Sequence, residues 1–186
     1  MALFRTSGEP HELAIALTGV RLGDRMLQIG CADPTLLGAI SSKVGLSGRA
    51  LVAVASAEMA ARARRGAERA GVLVEVEQTA LSKLSFADSS FDLVVIDSTD
   101  GSLGSMSVAN RDPCLREVMR VLVQRGRVVV IESGPRPGLA GMFRRVPIDP
   151  SYQAAGGSLA ALTTAKFRAV RTLAERDGMV FHEGIK

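Results

Sequence analysis

The sequence predicts an α/β fold with a doubly wound, largely parallel sheet, and three observations carry that prediction. Short apolar runs at 25–29, 50–55, 72–76, 91–96 and 127–131 alternate with segments whose apolar residues recur at helical spacing. The runs are mostly apolar throughout rather than alternating, which suits strands covered on both faces. The connections are short, so strands joined by helices cross over in the right-handed sense. With 186 residues, 47% apolar and 23% charged, the chain has material for one compact domain, 1–186.

Ser7, followed by Glu9, Pro10 and Glu12, predicts a capped helix start, with Leu13, Ala14 and Leu17 on one face and a stop at Gly19. Gly23-Asp24 turns the chain into the first strand, which ends in Gly30-Cys31-Ala32-Asp33-Pro34. Small residues followed by an N-cap Asp and an N1 Pro bring backbone N–H groups up to a ligand, so a nucleotide-type cofactor is expected here. Leu36, Leu37 and Ile40 continue a helix until Gly45 and Gly48. After the strand at 50–55, Ser56 caps a third helix ending at Gly71, with Met59, Ala60, Ala63 and Ala67 toward the sheet and Arg62, Arg65 and Arg69 toward solvent.

The strand at 72–76, a turn or short helix at 81–84 and the strand at 91–96 follow. Asp112-Pro113 repeats the cap-then-proline device, and Leu115, Val118, Met119 and Leu122 mark a helix ending near 125–126. The strand at 127–131 then delivers Glu132, Ser133 and Gly134. From 135 to 157 proline and glycine are frequent and Met142-Phe143 is the clear apolar pair, the pattern of a mobile lid with one helical turn. A short helix at 157–165 and an antiparallel hairpin, 167–175 with 179–185 around Asp177-Gly178, close the chain.

The absence of an 18-residue uncharged apolar run and of a signal-peptide core at the start makes a soluble cytoplasmic protein the expectation, with no membrane partner. Cys31 in the loop and Cys114 at the opening of a helix lack metal-ligand spacing; with two histidines, His11 and His182, a metal site is not expected. The net charge of +4 arises after residue 93, where 13 basic face 9 acidic residues, against 10 and 10 before it. Arg136, Arg144 and Arg145 are the densest part of that surplus, which reads first as solvated surface and second as a site for an anionic small-molecule substrate or partner. Nucleic acid is not expected, since Trp is absent and the arginines form no stripe.

The stretch Leu27-Gln28-Ile29-Gly30-Cys31-Ala32-Asp33-Pro34 resembles motif I of the class I S-adenosylmethionine (SAM)-dependent methyltransferases. Leu84-Ser85-Phe86-Ala87-Asp88-Ser89-Ser90-Phe91-Asp92 resembles the family's approach to its fourth strand, and Glu117-Val118-Met119-Arg120-Val121-Leu122 before Gly126-Arg127-Val128 its helix and fifth strand. The resemblance spans about residues 10–134 and is closest to the small-molecule branch that includes ubiquinone and menaquinone biosynthesis. It implies a Rossmann-like sheet of seven strands, order 3-2-1-4-5-7-6, with strand 7 antiparallel. It also implies SAM as cofactor, held around Gln28, Gly30, Cys31, Ala32, Ala55, Ser56, Thr79, Ala80 and Asp97.

The family's carboxylates are replaced at three of these places: by Gln28 in motif I, by Ala55 after the second strand and by Gln78-Thr79-Ala80 after the third. Two functional readings follow, methyl transfer to a small molecule or a non-catalytic relative serving as a partner subunit, as a homo- or hetero-oligomer, or binding another ligand. Asp97 reads first as a turn-capping aspartate and second, by resemblance, as the candidate catalytic residue, base or magnesium ligand. Glu132 is weighed against a bond to a loop amide, His11 against a surface position, and Glu58 as a carboxylate reaching back to the cofactor against a helix-capping acid. Cys31 is read as packing.

Overall fold

A computed structural model describes residues 11–134, 148–176 and 178–186. Seven strands form one sheet in the order β3-β2-β1-β4-β5-β7-β6. They are β1 (Arg25–Ile29), β2 (Arg49–Val54), β3 (Glu75–Gln78), β4 (Phe91–Ser98), β5 (Leu122–Ser133), β6 (Arg168–Arg176) and β7 (Met179–Ile185). All neighbours from β3 to β5 run parallel, and β7 runs antiparallel to both β5 and β6, the arrangement the resemblance implies.

Helices α1 (Glu12–Thr18), α2 (Pro34–Val44) and α3 (Ala57–Ala70) cover one face, and α5 (Val108–Val121) and α7 (Gly157–Thr164) the other. Two short helices, α4 (Ser102–Ser105) and α6 (Pro150–Ala154), lie beyond the carboxyl ends of β4 and β5. Met26, Leu93, Val95, Val129 and Ile131 meet Leu36 and Ile40 on the α2 side, while Leu27, Val94, Ile96, Val128 and Val130 meet Leu115, Val118 and Leu162 on the α5 side. Successive residues of the central strands thus bury alternately on opposite faces, which is why their sequences are apolar throughout.

Helices α2 and α3 pack closely because small residues face each other. A Cβ on Gly66 would lie 2.5 Å from the Pro34 carbonyl oxygen, and one on Gly38 2.6 Å from Ala70 Cβ. Arg25 ties the amino end of β1 to that of β4, its Nε and Nη2 donating to Asp92 at 3.0 and 2.8 Å.

The expected elements are present, with local corrections. The helix expected to open at Asp112-Pro113 starts at Val108, so Pro113 and Cys114 lie inside α5. Pro113 sits early enough that its missing N–H and its ring disturb only the first turn and a half. The same helix ends at Val121 rather than near 125–126, and the irregular start of β5 takes up the difference, with Arg125 at φ 63° and a register shift against β4 between Phe91 and Leu93. The third strand is Glu75–Gln78, not 72–76, because Gly71 ends α3 in the left-handed conformation and Val72 N–H still bonds Ala67 C=O.

The Ser7–Pro10 helix start and the 135–147 part of the expected lid lie outside the described residues, and α6 supplies one helical turn within 148–157. The helix at 157–165 and the hairpin appear as α7, β6 and β7.

Candidate functional site

The turn after β1 is built by three side chains that brace its backbone. Gly30 has φ +78°, and a Cβ there would lie 2.9 Å from the Asp97 carbonyl oxygen, so the position needs glycine both for its conformation and for the approach of β4. Gln28, fully buried in β1, donates from Nε2 to the Gly30 carbonyl at 3.0 Å. Its Oε1 is sealed from solvent and has no partner among the described residues.

Asp97, near the end of β4, is 1% exposed. Its Oδ2 accepts the Asp33 backbone N–H at 2.9 Å, and its Oδ1 accepts Thr99 N–H at 3.2 Å and Thr99 Oγ1–H at 2.8 Å. Burial raises its pKa, these hydrogen bonds offset part of the rise, and Asp100 adds to it. Asp97 is therefore both a turn cap and a brace across to the first loop.

Asp33 caps α2, accepting Thr35 N–H at 2.8 Å, Thr35 Oγ1–H at 2.6 Å and Leu36 N–H at 3.2 Å. Partial burial pushes its pKa up, but the bonds from Thr35 and Leu36 and the neighbouring His11 outweigh this and leave it lowered. His11 does not point to open solvent: Nε2 lies 2.9 Å from Thr35 Oγ1 and 3.5 Å from Asp33 Oδ2. Cys31 is fully buried, and burial followed by the Asp97 charge holds its thiol up at about 12, consistent with packing. Cys114 is likewise buried and pushed up to about 12 by desolvation.

The rim beyond β2 and β3 is neutral and open. Ala55 is exposed. The Ser56 hydroxyl accepts Met59 N–H at 3.2 Å as the α3 cap. Thr79 N–H bonds the Val54 carbonyl at 3.0 Å and its hydroxyl donates to the Lys83 carbonyl at 3.4 Å, which leaves exposed Ala80 at the lip. Glu58 has its side chain 81% exposed and paired to Arg62 at 3.2 Å.

A second polar cluster, gathered around Glu132, lies at the carboxyl end of β5 on the α5 side. Among the described residues Glu132 bonds no loop amide; Oε1 accepts Tyr152 Oη–H at 3.3 Å, and Oε2 lies 3.5 Å from His182 Nε2 on β7. Tyr152 Oη is 2.6 Å from Ser158 Oγ, and its ring lies under the Arg111 guanidinium at 4.5 Å. Arg111 is 7% exposed and donates to the Met106 carbonyl at 3.1 Å. Burial, then the Glu132 charge, raises the Tyr152 pKa, so the phenol stays protonated at neutral pH.

Gln28, Gly30, Cys31, Ala32 and Asp97 thus converge on one turn, and Ala55, Ser56, Thr79 and Ala80 line the adjoining rim. Arg111, Tyr152 and His182 join Glu132 only through the fold. The one sequence signal for them was Asp149-Pro150, a third cap-then-proline pair, which opens the helix carrying Tyr152. Arg136, Arg144 and Arg145 lie outside the described residues.

Residues 26–126 match a methyltransferase domain family. The chain is 36% identical over 132 residues to the ubiquinone/menaquinone biosynthesis C-methyltransferase UbiE of Pseudomonas savastanoi, covering 68% of this chain and 50% of that protein. It is 32% identical over 121 residues to the protein of the same name from Hydrogenovibrio crunogenus, covering 64% and 46%. The chain therefore spans about half the length of these relatives. Among solved structures, a SAM-dependent methyltransferase from Aquifex aeolicus superposes with a TM-score of 0.73 at 17% identity, covering 94% of this chain and 88% of that one. One from Mesorhizobium loti gives 0.63 at 21%, covering 95% and 97%. Among the described residues no helix is long and apolar enough to cross a membrane.

Proposed function

Because this chain belongs to the class I SAM-dependent methyltransferase family, we propose that it transfers a methyl group to a small molecule, with SAM on the Gly30–Asp33 turn and the acceptor past the ends of β4 and β5. The observation that carries this reading is the bracing of the turn. Gln28 and Asp97 hold the Gly30 carbonyl and the Asp33 N–H in place, so the cradle does not need a ligand to order it.

The residues present fit such a group by shape. Gly30 keeps the turn free of a side chain, Ala55 leaves the end of β2 open, and the Gln28 Oε1 beneath the turn is an unused buried acceptor. They fit it weakly by charge, since neutral Ala55, Thr79 and Ala80 stand at the rim. Bound SAM would supply an electrophilic methyl carbon. Asp97 has both oxygens committed to backbone and hydroxyl donors, so its part is positioning the turn. Glu132 and His182 form the titratable pair nearest the acceptor side, and an acceptor that must lose a proton would give it to them. The relatives are named for C-methylation in ubiquinone and menaquinone biosynthesis, which supports a small-molecule acceptor.

A second reading, a non-catalytic relative, is favoured by one arrangement: the Asp33 and Asp97 carboxylates occupy amides at positions 33, 35 and 36, which would otherwise face an anionic ligand group. Isothermal titration with SAM and its demethylated product decides. Each missing charged acceptor costs roughly one to two decades of affinity, so weak binding, still below about 1 mM, is expected. No heat at millimolar ligand would leave the second reading standing.

A further inference from the structure

A cavity of about 700 Å³ lies at the amino ends of β2 and β3, at the other end of the sheet from the Gly30–Asp33 turn. The last turn of α2, the last residue of α3 and the chain entering β3 wall it, with Val44, Ala50, Ala70 and Val74 supplying apolar surface. We propose that this cavity binds a small, mostly apolar molecule whose polar head is an uncharged or cationic hydrogen-bond donor.

Size and lining are those of a small-molecule site. Leu46 and Leu73, both on its wall, are 93% and 83% exposed, apolar surface that an occupant would take out of water. Ser41, also on the wall, is 5% exposed, and its Oγ has no partner among the described residues. Buried hydroxyls are normally satisfied, so this unpartnered acceptor beside the cavity favours an occupant that donates.

The polarity of the head group follows from what surrounds it. Helices α2 and α3 both end here, at Gly45 and Gly71, presenting the negative ends of their dipoles. The cation on the wall, Arg49, already gives Nε and Nη2 to Glu75, each at 2.6 Å. An anionic head therefore meets the negative ends of two dipoles and a neutralised arginine, an opposition that a hydroxyl or ammonium does not meet.

The test uses the full chain and three probes with one tail: 1-octanol, octylamine and octanoate, followed by backbone amide NMR. Octanol and octylamine should shift the amides of 41–45 and 70–74 with dissociation constants below about 1 mM, and octanoate should bind at least about fivefold more weakly. Leu73→Ser, at an exposed position, should keep the melting temperature and weaken octanol at least about threefold. Ser41→Ala should keep the fold and narrow the gap between octanol and octanoate. The proposal is overturned if no probe moves those amides at 1 mM, if octanoate binds as tightly as octylamine, or if the shifts fall on 30–33 instead. Concentration-dependent shifts at Leu46 and Leu73 without a probe would also overturn it, since a second copy would then cover this face. None of these outcomes depends on whether SAM binds.

Discussion

At Ala55 a methyl group stands where the resemblance places a carboxylate for the ribose hydroxyls, and its exposure means that nothing blocks a longer side chain. Ala55→Asp should therefore tighten SAM about tenfold by calorimetry, the low end for a charged acceptor because the site is open to water. Ala55→Asn, which adds bulk without charge, should gain less. Equal or weaker binding by the Asp variant would remove the rim from the account of affinity. The neutral identities of Gln28, Ala55 and Ala80 were legible because sequence fixes identity and the strand ends fix position. The commitments of Glu132 and His11 were not. Glu132 finds Tyr152 and His182 across 20 and 50 positions of chain, and His11 finds Thr35 through the packing of α1 on α2. Such contacts leave no spacing to read.

At the scale of elements, the stretches that carry the family resemblance prove to be a clasp. Glu117 on α5 accepts Leu84 N–H at 2.8 Å. Arg120 donates to the Phe86 carbonyl at 2.8 Å, the Asp88 carboxylate at 2.6 Å and the Leu84 carbonyl at 3.1 Å. The segment before β4 is thereby fixed to the helix before β5, so a pattern visible in sequence marks architecture rather than chemistry. The hydrogen bond from Arg120 lowers the Glu117 pKa below its ordinary value, burial works against this, and the Leu84 amide adds to the lowering. An acid held lower in the folded state binds fewer protons there than when unfolded. Its contribution is thus present above the unfolded value of about 4.5 and lost as pH falls through the folded one. Glu117→Gln should melt lower than the native chain at pH 7, with the gap closing toward pH 3 in parallel thermal scans; a gap that stays constant would deny the linkage. Element ends were less legible than element types. Helix α5 starts five residues before the expected point because Asp112-Pro113 imitates an N-terminus that Ser107 in fact provides, and β3 starts later than expected because Val72 and Val74 are strand-like in composition but follow the Gly71 cap.

For the molecule as a whole, the strand order followed from the resemblance, while the parallel and doubly covered character of the sheet followed from composition and spacing. The antiparallel edge is joined to the rest by more than backbone pairing. Phe181 on β7 is fully buried against the α2-side core, and the Glu183 carboxylate on the same strand forms ion pairs with Arg127 of β5 at 2.8 Å and Arg171 of β6 at 2.6 Å. Strand β5 contributes Val128 and Val130 to one core and Val129 and Ile131 to the other, so neither face can open without exposing the other through the same strand. Unfolding should accordingly be a single calorimetric transition, with calorimetric and van't Hoff enthalpies in agreement. Phe181→Ala removes a buried ring from that shared region at a cost of about 3–5 kcal/mol. At this chain length each kcal/mol lowers Tm by about 2–4 °C, so the whole transition should move down by roughly 6–20 °C while staying single. Two resolved transitions in the variant, the lower one confined to amides of β6 and β7 by hydrogen exchange, would instead mean that the antiparallel edge is an independent unit attached to a five-stranded parallel core.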